Sequence, residues 1–464
     1  MPVERIKKLL DAAGLYEKPR VTQAVYWNPS AHLNSISKGE GDLLLQGGDD
    51  VAGKGRYSYV AARPLFILRM KGERGELIEG FNRHAFTGSP PDVISALDTL
   101  FARYQKPEHE DGVWNGGMAW LFSYEMNRFY EPRLAEARVP SGDDFWCAFY
   151  ASVRVFDHKE RTAWDIAWRD TARPRIGCAV EEVAHLDSFA CDEPPDEYLR
   201  KIERIKQYIA AGDVYQVNLS RRLSAEWYGS ALLLFSRFAG RFPTAMGAYV
   251  DGRDFKLLSF SPELFFRVRD GVIETEPIKG TAPRHPDTAA DEREKARLAG
   301  SVKDRAENVM IVDLMRNDLG KVCRPGTVTV PEMFRLETLP NVHHLVSTVR
   351  GELSPGVRLP RIMEALWPGG SVTGAPKVRA MEIIAELETS ARGFYCGSVA
   401  ACGMNGGITA SLLIRTITCA KGEAVFRAGG GIVADSDPQA EYEETEHKAS
   451  MLAAALPPNR GVGR

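Results

Sequence analysis

The segment ETEPIKGTAPR (Glu274–Arg284) sets one lysine, Lys279, between a Pro-Ile pair and a Gly-Thr turn. An amine is a nucleophile only when neutral, so that role requires burial or a neighbouring cation to lower its pKa from about 10.4. Glu263, in SFSPELFF (Ser259–Phe266), lies sixteen residues upstream. Both sit near the ends of segments that read as paired or neighbouring strands, so a carboxyl and an amine could meet across a cleft. From this segment alone a solvated loop charge is the more ordinary reading of Lys279, and the reactive one needs support from the rest of the chain.

Two further segments carry paired acids. In KDRAENVMIVDLMRNDLGKV (Lys303–Val322), Asp304 and Glu307 are three apart and share a helix face. In AEYEETEHK (Ala440–Lys448), Glu441, Glu444 and Lys448 fall at i, i+3 and i+7. Either pair alone reads as a solvated stripe. Two helices that each offer a carboxylate pair suit a hard divalent cation. Magnesium takes one or two carboxylates, keeps waters, and fills its shell with an anionic substrate. Lys448, one turn on, can neutralise a further negative group.

Anion-binding elements follow. RAGGGIVAD (Arg427–Asp435) offers consecutive backbone N–H groups unblocked by side chains at Gly429, Gly430 and Gly431. GGSVTGAPKVRAMEII (Gly369–Ile384) places Ser371 and Thr373 before a helix that Pro376 starts well, and whose N-terminus favours an anion. Arg415 closes the uncharged strand ITASLLIR and is a fork for a carboxylate, although a strand-end arginine also reads as a surface residue. His343 and His344 are adjacent in LPNVHHLVSTV; on a strand they face opposite ways, so one alone can face a site.

The elements that must position these groups are mixed. GRYSYVAARPLFILRM (Gly55–Met70) and FWCAFYASVRVFDH (Phe145–His158) read as strands. Helices are predicted at Asp291–Ala299, Lys303–Leu319, Leu359–Leu366, Pro376–Leu387 and Ala440–Ala454, and one follows Asp196 as its cap, with Leu199, Ile202, Ile205 and Ile209 on its apolar side. The polar joint SFACDEPPD (Ser188–Asp196) suggests an N-terminal lobe, 1–190, and a second lobe, 191–464. Irregular alternation of strands and helices indicates an α+β fold of sheets faced by helices.

Composition narrows the classes. The 464 residues carry 59 basic and 62 acidic side chains without long runs of either sign, so no nucleic-acid partner is expected. The start, MPVERIKKLLDAAGLY, is amphipathic and lacks a signal-peptide core. Gly393–Ile414 is uncharged for 22 positions, but GMNGG (Gly403–Gly407) interrupts it, which predicts a buried hairpin and no membrane span. Seven scattered cysteines without CxxC spacing fit reduced packing residues of a cytoplasmic protein.

GDVYQVNLSRR, SFSPE, KDRAENVMIVDLMRND, VHHLVST, PGGSVTGAPKVRAMEII and GGGIVADSDPQAEYEET occur in this order. In these motifs the chain resembles the chorismate-utilising enzymes, over nearly its whole length and most strongly from about Asp196 to Leu452. The resemblance implies a two-lobed α+β fold, with two packed sheets flanked by helices and an active-site cleft. Gln216 stands where members that add water carry a lysine base, which implies ammonia as the incoming group. Anthranilate-forming members read Pro-Ile-Ala-Gly-Thr where this chain has PIKGT. The lysine form marks the branch that makes 4-amino-4-deoxychorismate for p-aminobenzoate and folate.

By that resemblance Lys279 attacks C2 of chorismate, Glu263 serves as acid and then base, and His344 lies near the reacting face. Glu307 and Glu444 would bind magnesium directly, with Asp304 and Glu441 reaching it directly or through water. Arg415, Tyr395 and the amides of Gly429–Gly431 would grip the enolpyruvyl carboxylate, and Ser371, Thr373, Thr281 and Lys448 would complete the pocket. No Cys-His-Glu glutaminase segment is present, so ammonia is expected to come free or from a separate glutaminase subunit. The chain departs from the family pattern at Ala400 and Ala401 (commonly Gly-Tyr) and at Thr409 (usually Asp), on a hairpin expected beside the pocket. Gln46 and Gly47 fill a stretch where tryptophan-holding relatives have a serine, so tryptophan binding is not expected.

Overall fold

The computed structural model describes residues 2–37, 39–48, 55–106, 113–134, 138–170, 183–242, 244–339 and 342–453. Two antiparallel sheets, of 13 and 12 strands, pack against each other and are flanked by helices, giving the expected α+β sandwich. The strand Phe145–Tyr150 shows why its sequence is an unbroken apolar run. Phe145, Cys147 and Phe149 face one core cluster while Trp146, Ala148 and Tyr150 face another, so both faces are buried. The second of these clusters also takes Leu43, Val155, Val250 and Leu257 from the other sheet, and it is the layer between the sheets.

Both long N-terminal apolar stretches divide in two and change sheets. Phe145–Tyr150 pairs with Phe66–Lys71 and Gly117–Phe122, whereas Ser152–Asp157, beyond Ala151, pairs with Tyr57–Ala61 and Thr162–Ala167. Strands from either side of residue 190 join in both sheets. Leu43–Gln46 pairs with Met246–Asp251, and Gly117–Phe122 pairs with Ser398–Gly403. The stretches 1–190 and 191–464 therefore share one framework.

The predicted helices form at Thr288–Gly300, Val302–Gly320, Leu359–Leu366, Lys377–Leu387 and Pro438–Ala453. The helix near Asp196 runs from Pro195 to Ala210 and buries Tyr198, Ile202 and Ile205. Asp196 does not cap it: Pro195 takes the first helical position, so Pro194 precedes the helix and Asp196 lies in its first turn. The uncharged run is a hairpin of Ser398–Gly403 and Ile408–Leu412, and among the described residues no helix is long and apolar enough to cross a membrane. The six described cysteines are unbridged; Cys178 lies outside the described residues.

Candidate active site

A cavity of about 820 Å³ lies against strands of both sheets and the helices Val302–Gly320 and Pro438–Ala453. Two corners where the chain changes sheets build one wall. Strand Lys256–Ser261 belongs to the first sheet and Leu264–Arg269 to the second, so Pro262 and Glu263 form the crossing. Ile408–Leu412 and Thr416–Ala420 make the reverse crossing, which leaves Arg415 beside it. The corners hold each other: Leu412 N donates to Glu263 O at 3.1 Å, and Phe260 N donates to Arg415 O at 3.1 Å.

Lys279 reaches the cavity through a break in pairing. Strand Ile278–Pro283 runs beside Val342–Glu352, and its register shifts between Ile278 and Thr281. Gly280 has φ 84°, and a Cβ there would meet Leu298 Cδ1 at 2.9 Å and Asp304 Cβ at 3.0 Å. Glycine thus lets this strand approach the acidic helix and sets Lys279 beside Glu307. Burial lowers the Lys279 amine pKa, and Glu307 and Glu263 offset this only in part. Glu263 is buried, and its carboxylate accepts a 2.6 Å hydrogen bond from the Ser371 hydroxyl.

Of the adjacent histidines, His344 faces the cavity, with Nδ1 3.0 Å from Thr281 Oγ1, its register neighbour. His343 turns away and is fully buried. Its ring nitrogens meet Thr338 Oγ1 at 3.1 Å and Asp291 Oδ1 at 2.9 Å, which ties Thr288–Gly300 to the sheet.

All four helix acids line the cavity. Burial, with neighbouring acids adding to it, raises the pKa of Glu307 and of Glu441. Ser436 Oγ donates to Glu441 at 2.7 Å. Burial would also raise Glu444, but the Lys448 ammonium, 2.6 Å away, outweighs it and the net shift is downward. The donor set is all oxygen, and ionised acids held together in this way favour an added cation. Among the described residues no three metal-ligating side chains converge on one point. An all-oxygen donor set suits a hard ion that takes one or two protein carboxylates and otherwise keeps water and substrate oxygens.

The opposite charge is supplied by Arg415, half-buried at φ 52°. Among the described residues its guanidinium has no ion pair, and burial alone lowers its pKa. Tyr395 lies nearby, buried, with its hydroxyl pKa raised by burial. The three glycines are in the strand Glu423–Ile432, opposite Asn218, Leu219 and Ser220. Asn218 N donates to Thr373 O and Ser220 N to Glu388, so both turn their backbone groups away from the glycine strand. Antiparallel alternation then spends the Gly430 groups on Leu219 and leaves those of Gly429 and Gly431 on the free edge. There Lys448 Nζ donates to Gly429 O at 2.8 Å. Of three expected anion-binding amides, two face outward.

Some expected residues lie elsewhere. Gln216 is fully buried at a strand end, paired with Ala375 and packed against Gly431, so it is behind the cavity wall. Thr373 is also buried, and its hydroxyl donates to Gly369 O at 3.0 Å, which closes the turn that presents Ser371. Helix Lys377–Leu387 contributes no residue to the cavity, so its N-terminus does not border it. Ala400, Ala401 and Thr409 do not border the cavity either; Ala401 and Thr409 face each other across the hairpin, near Arg267. Sequence reading missed Asn218, Lys303 and Arg427, which do line it. Lys303, four residues before Glu307, carried a readable signal, as did Asn218, two residues after Gln216 on the same strand face.

A half-buried lysine beside a carboxyl group, two acid-bearing helices and an arginine with no ion pair among the described residues line one cleft, a setting suited to a small anionic ligand. The chain belongs to the chorismate-binding enzymes, whose family model matches residues 65–454. It is 37% identical to aminodeoxychorismate synthase component 1 of Escherichia coli, covering 89% of this chain and 93% of that one. It is 34% identical to anthranilate synthase component 1 of Streptomyces coelicolor, covering 90% and 84% respectively. The solved anthranilate synthase component I of Streptococcus pneumoniae superposes with TM-score 0.74 at 28% identity, over 86% of this chain and 92% of that one.

Proposed function

We propose that this chain is the synthase component that converts chorismate and ammonia into 4-amino-4-deoxychorismate, with Lys279 as covalent nucleophile. The observation that carries the reading is Lys279 itself, an amine whose pKa is lowered by burial and which shares the cavity with Glu263. Lys279 Nζ bonds to C2, the ring double bonds shift, and the C4 hydroxyl leaves as water with the Glu263 proton. Ammonia then bonds to C4, the double bonds return, and the C2–N bond to Lys279 breaks while the Glu263 carboxylate takes up the excess proton. Arg415 and the outward amides of Gly429 and Gly431 hold one substrate carboxylate, and His344 and Ser371 flank the reacting ring. Glu307 and Glu444, with Asp304 and Glu441, would hold a magnesium ion, whose charge would anchor the ring carboxylate. Gln216, behind the wall, would act only through the strand that carries Gly431. A partner glutaminase fits because the similar proteins are named as component 1 of their synthases.

The purified chain, incubated with chorismate, ammonium and magnesium, should yield aminodeoxychorismate and no pyruvate. Anthranilate with pyruvate would instead support the second reading, which the 34% identity to an anthranilate synthase component keeps open. Absence of any product would overturn both.

A further inference from the structure

Behind the cavity lies a buried arginine that touches none of the reacting groups. Arg392 is 5% exposed and reaches three separate segments. Its Nη1 donates to Val372 O at 2.9 Å, and its Nη2 donates to Asn218 O at 2.7 Å. Nε and Nη2 also engage Glu388, at 3.0 and 2.7 Å. Glu388 in turn accepts from Ser220 N at 2.9 Å and from Arg427 Nη1 at 3.2 Å. The guanidinium also lies near two aromatic rings, 4.6 Å from the Tyr124 centroid and 5.8 Å from that of Tyr395.

A buried ion pair is a poor source of stability, because desolvation of both charges offsets their attraction. Its fixed fork geometry does something else here. It ties the strand carrying Asn218 to the turn Gly370–Val372, and that turn presents the Ser371 hydroxyl to the Glu263 carboxylate at 2.6 Å. We infer that Arg392 is a positioning residue for Glu263, acting through Val372 and Ser371. This rests on the proposed role of Glu263 as acid and base. Lysine keeps the charge but, as a point donor, cannot span two carbonyls and a bidentate carboxylate.

The test is a cycle of Arg392→Lys, Ser371→Ala and the double variant, in the full chain with chorismate, ammonium and magnesium. Each single variant should lose roughly tenfold to a hundredfold in kcat, the range for a hydrogen bond to a charged group. The double variant should be no slower than the worse single, since both remove one pathway. Losses that multiply, or a wild-type kcat in Arg392→Lys, overturn the inference. Amide exchange, read without substrate, separates this from the proposed reaction. Residues 370–373 should exchange at least tenfold faster in Arg392→Lys while helix Lys377–Leu387 is unchanged, and unaltered exchange in the turn overturns the brace. A wild-type chain that makes no product overturns the reaction and leaves the exchange result to decide the brace. If Arg392→Lys does not fold, the pair Arg392→Gln with Glu388→Gln removes both charges together and should show the same exchange and kcat losses.

Discussion

Replacing Arg415 by glutamine should separate two quantities that usually fall together, fold stability and substrate affinity. The guanidinium is half-buried and has no ion pair among the described residues, and burial alone moves its pKa. A desolvated charge without a partner costs free energy in the ligand-free protein, so its removal should leave Tm unchanged or slightly higher. The backbone does not confuse this comparison. Arg415 sits at φ 52°, which costs about 1–2 kcal/mol for any side-chain-bearing residue, and glutamine bears it equally. Chorismate, by contrast, loses a charge-assisted contact and leaves its carboxylate in a partly dry pocket. Loss of one partner of such a pair costs about 2–4 kcal/mol, or roughly 30- to 1,000-fold in Kd. Calorimetric titration with chorismate and thermal unfolding with and without it measure both. The reasoning is refuted if Arg415→Gln unfolds several degrees earlier while binding chorismate normally, because the arginine would then serve the fold.

Three other outcomes are expected. Lys279→Ala should show no chorismate-derived mass increment on intact-protein mass spectrometry. In the wild type the acetylation of Lys279 by acetic anhydride, which needs only the neutral amine, should rise with pH to a midpoint below 10.5, the ordinary lysine value, since burial favours the neutral amine; persistence of the chorismate adduct in the variant would reassign the nucleophile. Glu307→Gln should abolish the magnesium response and cut kcat/KM by at least the ~10- to 100-fold typical of metal-site partners. Because the Glu307 pKa is raised in the fold, chiefly by burial, the folded state loses stability as pH climbs from about 4.5 through the raised value, and the loss is complete above it. The metal-free variant should therefore be no less stable than wild type at neutral pH, and a fall in Tm there would contradict that sign. A Cβ at Gly429 meets Leu219 O at 2.4 Å, whereas one at Gly430 meets only the Glu441 carboxylate, at 3.0 Å. Gly429→Ala should thus lower Tm by several degrees and Gly430→Ala should chiefly weaken magnesium activation; the reverse pattern in paired melts and metal titrations would show that the strand is placed differently.

Helices were the most legible part of the chain, because their period survives in one dimension. Leu359–Leu366 forms as expected, and Val302–Gly320 extends its predicted span by one residue at each end. That accuracy carried over to the pairs Asp304 with Glu307 and Glu441 with Glu444, each set on one face by helical spacing, whereas their shared cavity comes from the fold that brings the two helices together. Strands were legible as apolar segments but not as members of a sheet. FWCAFYASVRVFDH has no turn signal at Ala151, yet the chain passes there from one sheet to the other. The alternation of buried side chains continues through such a corner, so pattern alone does not reveal it.

Those corners also explain which site residues were legible. Glu263 and Arg415 owe their place to sheet crossings, and motif chemistry found them although periodicity could not. Gln216 and Thr373 failed for the converse reason. Each belongs to a motif that touches the cavity, but a strand end and a closed turn direct these two side chains into the protein. A motif identifies the segment at a site; the face that the segment presents is set by its register with partners distant in sequence. Asn218 and Gln216 share a face of one strand, yet only Asn218 lines the cavity; the Gln216 amide lies against Gly431, in the space that a side chain there would fill. Arg392 is the extreme case: it does not line the cavity itself, and the partners of its guanidinium, Asn218, Val372 and Glu388, stand 174, 20 and 4 residues away. A residue that positions others is visible only once the separations it bridges have been folded to nothing.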